Sequence, residues 1–454
     1  MGIFNFNKSY IGVDLGTSAI KMVELQNKAG RAMLLTYGYV EQPTDIIRAS
    51  STETEQKIIN IIKGIYKKSR MSSKRVVAAL PSFSVFNSII NLPLMGKKDL
   101  AQAIKWEARK FIPLPIEDMT LDWKIIPERK VKKSIISIKK SQEAKATTSN
   151  SLPTAQKSLS SQPNALSNHA AEAHKQPGAD KQTTLNQKLK KDAYQSAGQP
   201  ADKLLDSSSK ATTSALSLNK LLDKSRNLFH KKQQSAQDKK SSKQNIKILL
   251  TAAPKNLVEK YIRIFKAADL ELLRLETEAF ALERSLSGGD WAPIMIIDIG
   301  AISSDISVID NNIPILTRSI DVGGTAITKS VMTSLNVDLA RAEQFKRDIG
   351  FSASGPGDLP EIIKNTINPI VNEVKYCLDI YLSQGNQHSL EKIILTGGSA
   401  FLPELVNYLS KLLDVKVIIG DPWSRVVYPL ELKPALTELG PRFSVAVGLA
   451  MREI

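Results

Sequence analysis

A chain of 454 residues is too long for one ordinary domain of about 100–200 residues, and its 42% hydrophobic residues can supply a sizeable core. One cysteine, Cys377, excludes a disulfide-stapled scaffold; no apolar run approaches the roughly 18–20 residues that cross a bilayer, and the start Met1-Gly2-Ile3-Phe4-Asn5-Phe6-Asn7-Lys8 lacks a signal-peptide core, so a cytoplasmic protein is expected. The net charge of +17 does not mark a nucleic-acid binder, because residues 130–244 carry 22 Lys plus Arg against 8 Asp plus Glu and leave only +3 to the rest.

In chain order, residues 10–14 and 20–25 read as strands around a tight Gly-Thr-Ser turn. Residues 56–69 have helical periodicity in Ile58, Ile59, Ile61, Ile62 and Ile65. Residues 75–80 form a short apolar strand stopped by Pro81, 85–92 another strand, 98–111 a helix and 121–126 a strand. Residues 130–244 are rich in Ser, Thr, Gln, Lys and Ala and poor in large apolar side chains, which predicts a long disordered insertion. Within it, Leu218, Leu221, Leu222, Leu228 and Phe229 alternate with Lys220, Lys224, Arg226, Lys231 and Lys232. They can form a basic amphipathic helix for an anionic membrane or a partner, or stand as an apolar cluster in a solvated tether. The insertion falls before the strand-like 246–252, where a hairpin loop lengthens at small entropic cost.

The second half begins with helices at 254–268 and 278–287, then strands at 293–300 and 305–309. Helical regions at 326–349 and 359–382, a strand at 392–396 and a helix from Pro403 follow. Both halves open with strand, Asp, turn, strand, at Asp14 and at Asp298, which predicts an internal duplication.

Four groups of residues carry chemistry. In Asp14-Leu15-Gly16-Thr17-Ser18-Ala19-Ile20-Lys21, Gly16 lets backbone N–H groups approach an anion, and Thr17 and Ser18 add hydroxyls. Lys21 returns over the turn toward a phosphate, and Asp14 can hold a hydrated Mg²⁺. The second turn, Asp298-Ile299-Gly300-Ala301-Ile302-Ser303-Ser304-Asp305, offers a second carboxylate and a second cradle. Gly397-Gly398-Ser399 after a buried strand can admit a flat adenine. Glu343, Lys346 and Arg347, at i, i+3 and i+4 of one helix, suit ribose hydroxyls and a base edge, or form a surface ion pair. The four histidines, His169, His174, His230 and His388, form no cluster with the single Cys, so a zinc site is not expected; no nucleophile elbow and no Walker loop appear.

Together these residues resemble the superfamily of actin, the sugar kinases and the heat-shock chaperone ATPases. Within it the chain is identified as similar to the PilM family of type IV pilus assembly, relatives of FtsA. The resemblance is carried by Ala79-Leu80-Pro81-Ser82, Ile90-Asn91-Leu92-Pro93, Ala103-Ile104-Lys105-Trp106-Glu107-Ala108, Ile112-Pro113-Leu114-Pro115 and Asp122-Trp123, over roughly residues 8–128 and 245–454.

The resemblance implies an α/β fold: an actin-like, two-lobed RNase-H-type fold with an FtsA/PilM-type subdomain. The first lobe takes 1–83 and 254–289, the subdomain 84–129 and 245–253, the insertion 130–244 and the second lobe 290–454. It implies ATP with Mg²⁺, the metal held by Asp14 and Asp298 through water. The nucleotide residues would be Asp14, Gly16, Thr17, Ser18, Lys21, Asp298, Gly300, Ser303, Ser304, Gly323, Gly324, Glu343, Lys346, Arg347, Gly397, Gly398 and Ser399. Connecting helices are expected at 278–287 and 445–451, the second carrying Gly448. Glu278, at the head of the first, would position attacking water or simply favour the helix dipole. Ala301 and Ile302 stand where the superfamily has Gly or Asp, so nucleotide binding is expected ahead of turnover and the chain is at most a weak ATPase.

As partner the resemblance implies PilN, an inner-membrane protein whose N-terminal segment would enter an apolar groove beside Trp106, Phe111 and Ile112-Pro113-Leu114-Pro115. Other pilus platform or motor proteins would follow, with the chain held at the inner face of the cytoplasmic membrane through its partner and no nucleic acid bound. Two further readings compete. An FtsA-type division protein would end in a membrane-targeting helix, whereas this chain stops within the fold at Arg452-Glu453-Ile454. A sugar-kinase-type enzyme would need a substrate-site base that cannot be placed.

Overall fold

The same meander opens each half of the chain in the computed structural model, which describes residues 8–42, 48, 51–112, 114–126, 245–289, 291–352, 359–383 and 389–454. In the first half, β1 (Ser9–Leu15), β2 (Ala19–Lys28) and β3 (Arg31–Glu41) run antiparallel, and α1 (Thr52–Lys68) leads to β4 (Arg75–Leu80), parallel to β1. Ser51 caps α1 by accepting from Thr54 N, Glu53 and Glu55 occupy its first turn, and Ile58, Ile59, Ile62 and Ile65 are buried. The chain then leaves through β5 (Phe86–Pro93), α2 (Lys97–Ala108), β6 (Met119–Ile126) and β7 (Asn245–Pro254). These make a separate three-stranded sheet in the order β5-β7-β6, covered by α2 through Leu100, Ile104 and Ala108. It returns through α3 (Lys255–Ala267) to β8 (Glu271–Thr277), parallel to β4, and α4 (Glu278–Leu286).

The second half repeats the plan. β9 (Ile294–Ile299), β10 (Ser304–Asp310) and β11 (Ile313–Ile320) form the antiparallel meander, followed by α5 (Gly324–Leu335), α6 (Leu339–Asp348) and α7 (Leu359–Ser383). β12 (Lys392–Thr396) lies parallel to β9, then come α8 (Leu405–Leu413), β13 (Val417–Ile419) and β14 (Val426–Val427), and α9 (Lys433–Ala450) follows. The sheets read β14-β3-β2-β1-β4-β8 and β11-β10-β9-β12-β13. Apart from β14 at one edge, the two orders are the same, so the duplication expected from the two Asp turns extends to whole sheets.

The single helical region expected at 326–349 is two helices. Asn336 sits in the left-handed region at φ 48°, which Asn tolerates, and Asp338 then caps α6 by accepting from Arg341 N at 2.8 Å. The insertion at 130–244, its basic helix and all four histidines lie outside the described residues.

A core of Val77, Ala79, Ala281, Leu282, Ile294, Ile296, Ile394, Val445 and Leu449 joins the two large sheets through α4 and α9. The helices touch at Gly448, where a Cβ would lie 1.9 Å from the Ala281 carbonyl oxygen. Arg284 of α4 also donates to the Gly448 carbonyl. Among the described residues no helix is long and apolar enough to cross a membrane.

Candidate functional site

Both Asp turns lie where the first strand of a meander hands over to the second, so their registers can be compared directly. Asp14 on β1 pairs with Lys21 on β2, and Asp298 on β9 pairs with Asp305 on β10. The position that holds a lysine in the first turn holds a carboxylate in the second. Lys21 Nζ sits 2.7 Å from Asp14 Oδ2, and Asp14 is buried. Gly16, Thr17 and Ser18 form the turn itself, which Gln42 fixes from β3's end by donating its N–H to Ser18 O at 2.9 Å.

In the second turn Gly300 N donates to Ser303 O at 3.0 Å. The carbonyls of Gly300 and Ala301 accept from Gly324 N and Thr325 N at 2.9 and 2.8 Å, so the turn is pinned to the first turn of α5 after Gly323. Ser303 is buried; the Ser304 hydroxyl donates to Val322 O at 2.6 Å and is committed to the backbone rather than turned to a phosphate. Gly397 has φ 89°, and a Cβ there would lie 2.3 Å from Asp298 Oδ1. Its glycine is required by the approach of the second turn. Gly398 is the one of the pair with open space beside it. Ser399 N donates to Ile299 O at 3.2 Å.

Lys346 is buried and its Nζ reaches Glu343 Oε1 at 2.7 Å, Thr328 Oγ1 at 2.8 Å and Gly324 O at 3.3 Å. Thr328 also donates to Glu343. Burial works against the charge on Glu343, but Lys346 and Thr328 outweigh it and hold the carboxyl below its usual range. This is an internal network joining α5 and α6 beside Ser399. Arg347 stays outside it, 76% exposed and 4.0 Å from Glu343. The three residues chosen by helical spacing therefore divide, with Glu343 and Lys346 facing the site and Arg347 facing solvent.

Glu278 opens α4 and accepts from both Ser82 N (2.9 Å) and Ser82 Oγ (2.6 Å). Burial, then Asp305, Asp14 and Asp298, hold its carboxyl well above the usual range against the Ser82 hydrogen bonds. Burial and Asp305 push Asp298 up to about 7, with Lys21 opposing. Burial, with Asp321 adding to it, pushes Asp305 up to about 6. Four carboxylates from both halves thus share one electrostatic environment. Asp305 and Ser82 stand inside quoted motifs but, like Thr328, were not among the expected nucleotide residues. Asp305 had a signal, since it follows Asp298 by the seven positions that separate Lys21 from Asp14; Ser82 stood in the motif Ala79-Leu80-Pro81-Ser82 with no role assigned, and Thr328 had no signal.

Buried polar atoms without a partner gather here. Gln42 Oε1, Tyr261 Oη and Thr277 Oγ1 are unpaired among the described residues, whereas Ser319, the register partner of Asp305, is placed to hydrogen-bond it. Such orphans are rare in native interiors and imply a polar ligand or water among them. Among the described residues no three His, Cys, Asp or Glu side chains stand together to grip an ion directly, so a divalent cation here would be held through its waters.

A second feature lies on the subdomain. A groove of about 210 Å³ is lined by Phe86, Asn87 and Ser88 of β5, Leu250 and Ala252 of β7, and Phe111 and Ile112. β5 is an edge strand of its sheet. Trp106, expected in the same groove, lies elsewhere, beside a hollow of about 320 Å³ with Gln102, Lys105 and Arg109. Helix α2 ends at Ala108, and the turn after it separates Trp106 from Phe111.

Paired, duplicated sheets joined through α4 and α9, with Asp14, Asp298, Asp305 and Glu278 from both halves acting on one another's charge, define an actin-like two-lobed protein. The profile of the family described as Type IV pilus assembly protein PilM matches residues 12–138 and 232–454, and the chain belongs to that family. The stretch 139–231 lies outside the match. The solved PilM-PilN type IV pilus biogenesis complex has a chain with TM-score 0.64 and 20% identity, covering 98% of both chains. Cell division protein FtsA of Neisseria meningitidis serogroup B is 26% identical over 177 residues, 34% of this chain and 41% of that one. FtsA of Bacillus subtilis strain 168 is 23% identical over 194 residues, 38% and 44% of the two chains. The chain thus spans less than half the length of these curated relatives.

Proposed function

We propose that the chain is an ATP-binding actin-like scaffold of type IV pilus assembly that docks the N-terminal segment of a PilN-like inner-membrane protein. The observation that carries it is the pair of Asp turns, from duplicated sheets, whose carboxylates act together on Glu278, in a chain of the PilM family. Asp14 and Asp298 would hold Mg²⁺ through its waters, with Asp305 beside them. Bound there, the ion would supply the positive charge that lets the carboxylates and a triphosphate coexist. Gly16, Thr17 and Ser18 would cradle one side of the phosphates, and Gly300 and Ser303 the other. Lys21 would move from Asp14 toward phosphate. Gly398 and Ser399 would take the base, and Glu343 with Lys346 the ribose.

The groove at β5 supports the partner. Its floor is apolar, and the free edge of β5 can accept an added strand. Bound to such a membrane protein, the chain would sit at the inner face of the cytoplasmic membrane. The FtsA similarity favours a division role as the second reading. Co-purification from cells decides: recovery of a PilN-like membrane protein, lost on Ser88→Lys, supports the pilus reading, and recovery of division proteins instead would overturn it.

A further inference from the structure

Lys346 is buried, and its ammonium has three hydrogens to give. Three acceptors surround it: Glu343 Oε1 at 2.7 Å, Thr328 Oγ1 at 2.8 Å and Gly324 O at 3.3 Å. Every donor of the ammonium is therefore committed inside the protein. Thr328 is buried too, one turn along α5 from Gly324, whose carbonyl lies 2.9 Å from its hydroxyl. That hydroxyl has a single hydrogen and also meets Glu343 Oε1, and a carboxylate is the stronger acceptor. Glu343 Oε1 thus takes a hydrogen from each of two side chains. Its other oxygen, Oε2, stands 4.0 Å from Arg347 Nε, beyond hydrogen-bond distance, on a side chain that is 30% exposed. The network borders the loop after β12, because a Cβ on Gly324 would lie 2.7 Å from Ser399 Oγ and 3.7 Å from Lys346 Nζ. Against burial, Lys346 and Thr328 keep the carboxyl ionised.

We propose that Lys346 and Thr328 are positioning residues, which pin the Glu343 carboxylate at Oε1 so that Oε2 alone accepts from the ribose hydroxyls of a bound nucleotide. This rests on the nucleotide reading above and divides the work within it: Lys346 serves the sugar through Glu343 and has no hydrogen left to give it. A carboxylate free to turn would lose rotamer freedom on binding, whereas one held by two donors has lost it already. The arrangement also selects for hydroxyls. A sugar without them would cover Oε2 and supply no donor, and a charged acceptor left desolvated and unpaired is costly.

The test measures calorimetric affinities of the full chain for Mg·ATP and for Mg·2′,3′-dideoxy-ATP. The unmutated chain should prefer ATP by about tenfold, as expected for a hydrogen bond to a charged group. Thr328→Val keeps the shape and removes the hydroxyl, and the preference should fall to about threefold or less through weaker ATP binding. Lys346→Met should do the same, and Thr328→Ser should restore the preference. Each preference compares two ligands on one folded protein, so a loss of stability alone leaves it unchanged; if Thr328→Val does not fold, Lys346→Met carries the test. In a Glu343→Ala background, which removes the acceptor, Lys346→Met should shift the preference no further. A further shift would show that Lys346 holds the sugar itself and overturn the proposal, as would an undiminished preference in Thr328→Val and Lys346→Met. Equal binding of both ligands by the unmutated chain would overturn it while leaving the nucleotide reading standing. Failure of the unmutated chain to bind either would overturn the nucleotide reading itself, and this proposal with it.

Discussion

Asp298 and Asp305 face each other in register, with Asp14, Glu278 and Asp321 on the same side of the balance and Ser319, Lys21 and Arg48 opposing them. Their folded values, about 7 and about 6, stand above the ordinary 3.8. A raised carboxyl binds protons in the folded state that the unfolded chain has released, so its contribution is present below about pH 4 and lost as pH rises through 6 and 7. Ligand-free protein should therefore lose stability across this window, by up to about 1.4 kcal/mol per pH unit for each such group. Asp298→Asn should flatten the slope and raise stability at neutral pH, and Mg·ATP should restore the unmutated chain there. Denaturant titrations at pH 5 to 8 check this; a flat profile would mean that the carboxylates are ionised in the fold without penalty. At the first turn, Mg·ATP should raise the melting temperature by mass action. Asp14→Ala or Lys21→Ala should abolish that rise, and no rise at millimolar ATP in the unmutated chain would count against nucleotide binding.

At the scale of elements, what was legible in the sequence was local. The Asp turns, the isoleucine stripe of α1 and the buried strand before Gly397 each declare themselves within a few residues. The strands β3, β8 and β11 did not. They lie at or near sheet edges, half-exposed, and all three pair through a register shift, so their apolar residues do not alternate cleanly. The Glu278–Ser82 pair joins residues 196 positions apart and has no periodicity to reveal it. Gly397 was readable as a glycine of consequence but not for its actual reason, the approach of Asp298. Two predictions belong to this scale. Gly448→Val would force a side chain into the Ala281 carbonyl and should cost roughly 3 kcal/mol or more, seen as a lower melting temperature. Ile126 pairs with Lys247 at the mouth of the β6–β7 hairpin, so a short turn can replace residues 132–242. Circular dichroism and melting of that deletion should match the full chain; loss of cooperative unfolding would show that the segment contributes to the fold.

For the whole molecule, the question is what a nucleotide held between two lobes would do for a groove on a third sheet. If a γ-phosphate sits at the second turn, the side chains of Ala301 and Ile302 would keep backbone donors from it, and misplaced donors cost on the order of a hundredfold in rate. Slow hydrolysis would leave the nucleotide to set the angle between the lobes, hinged where Gly448 meets Ala281. The groove is reached from that hinge through β7 and α3, which run directly from the subdomain sheet into the lobe that carries Asp14. If the closed form is the one that binds peptide, ATP must tighten the peptide and the peptide must tighten ATP by the same factor. Titrating a PilN-like N-terminal peptide with and without Mg·ATP should show about a fivefold gain or more, within the range typical of coupled sites. The reverse titration should return the same factor. Phosphate release should stay far below one per second, and Glu278→Ala should change peptide affinity less than it changes that rate. Equal peptide affinity in both states would remove the coupling, and rapid turnover abolished by Glu278→Ala would make the protein a working ATPase rather than a scaffold.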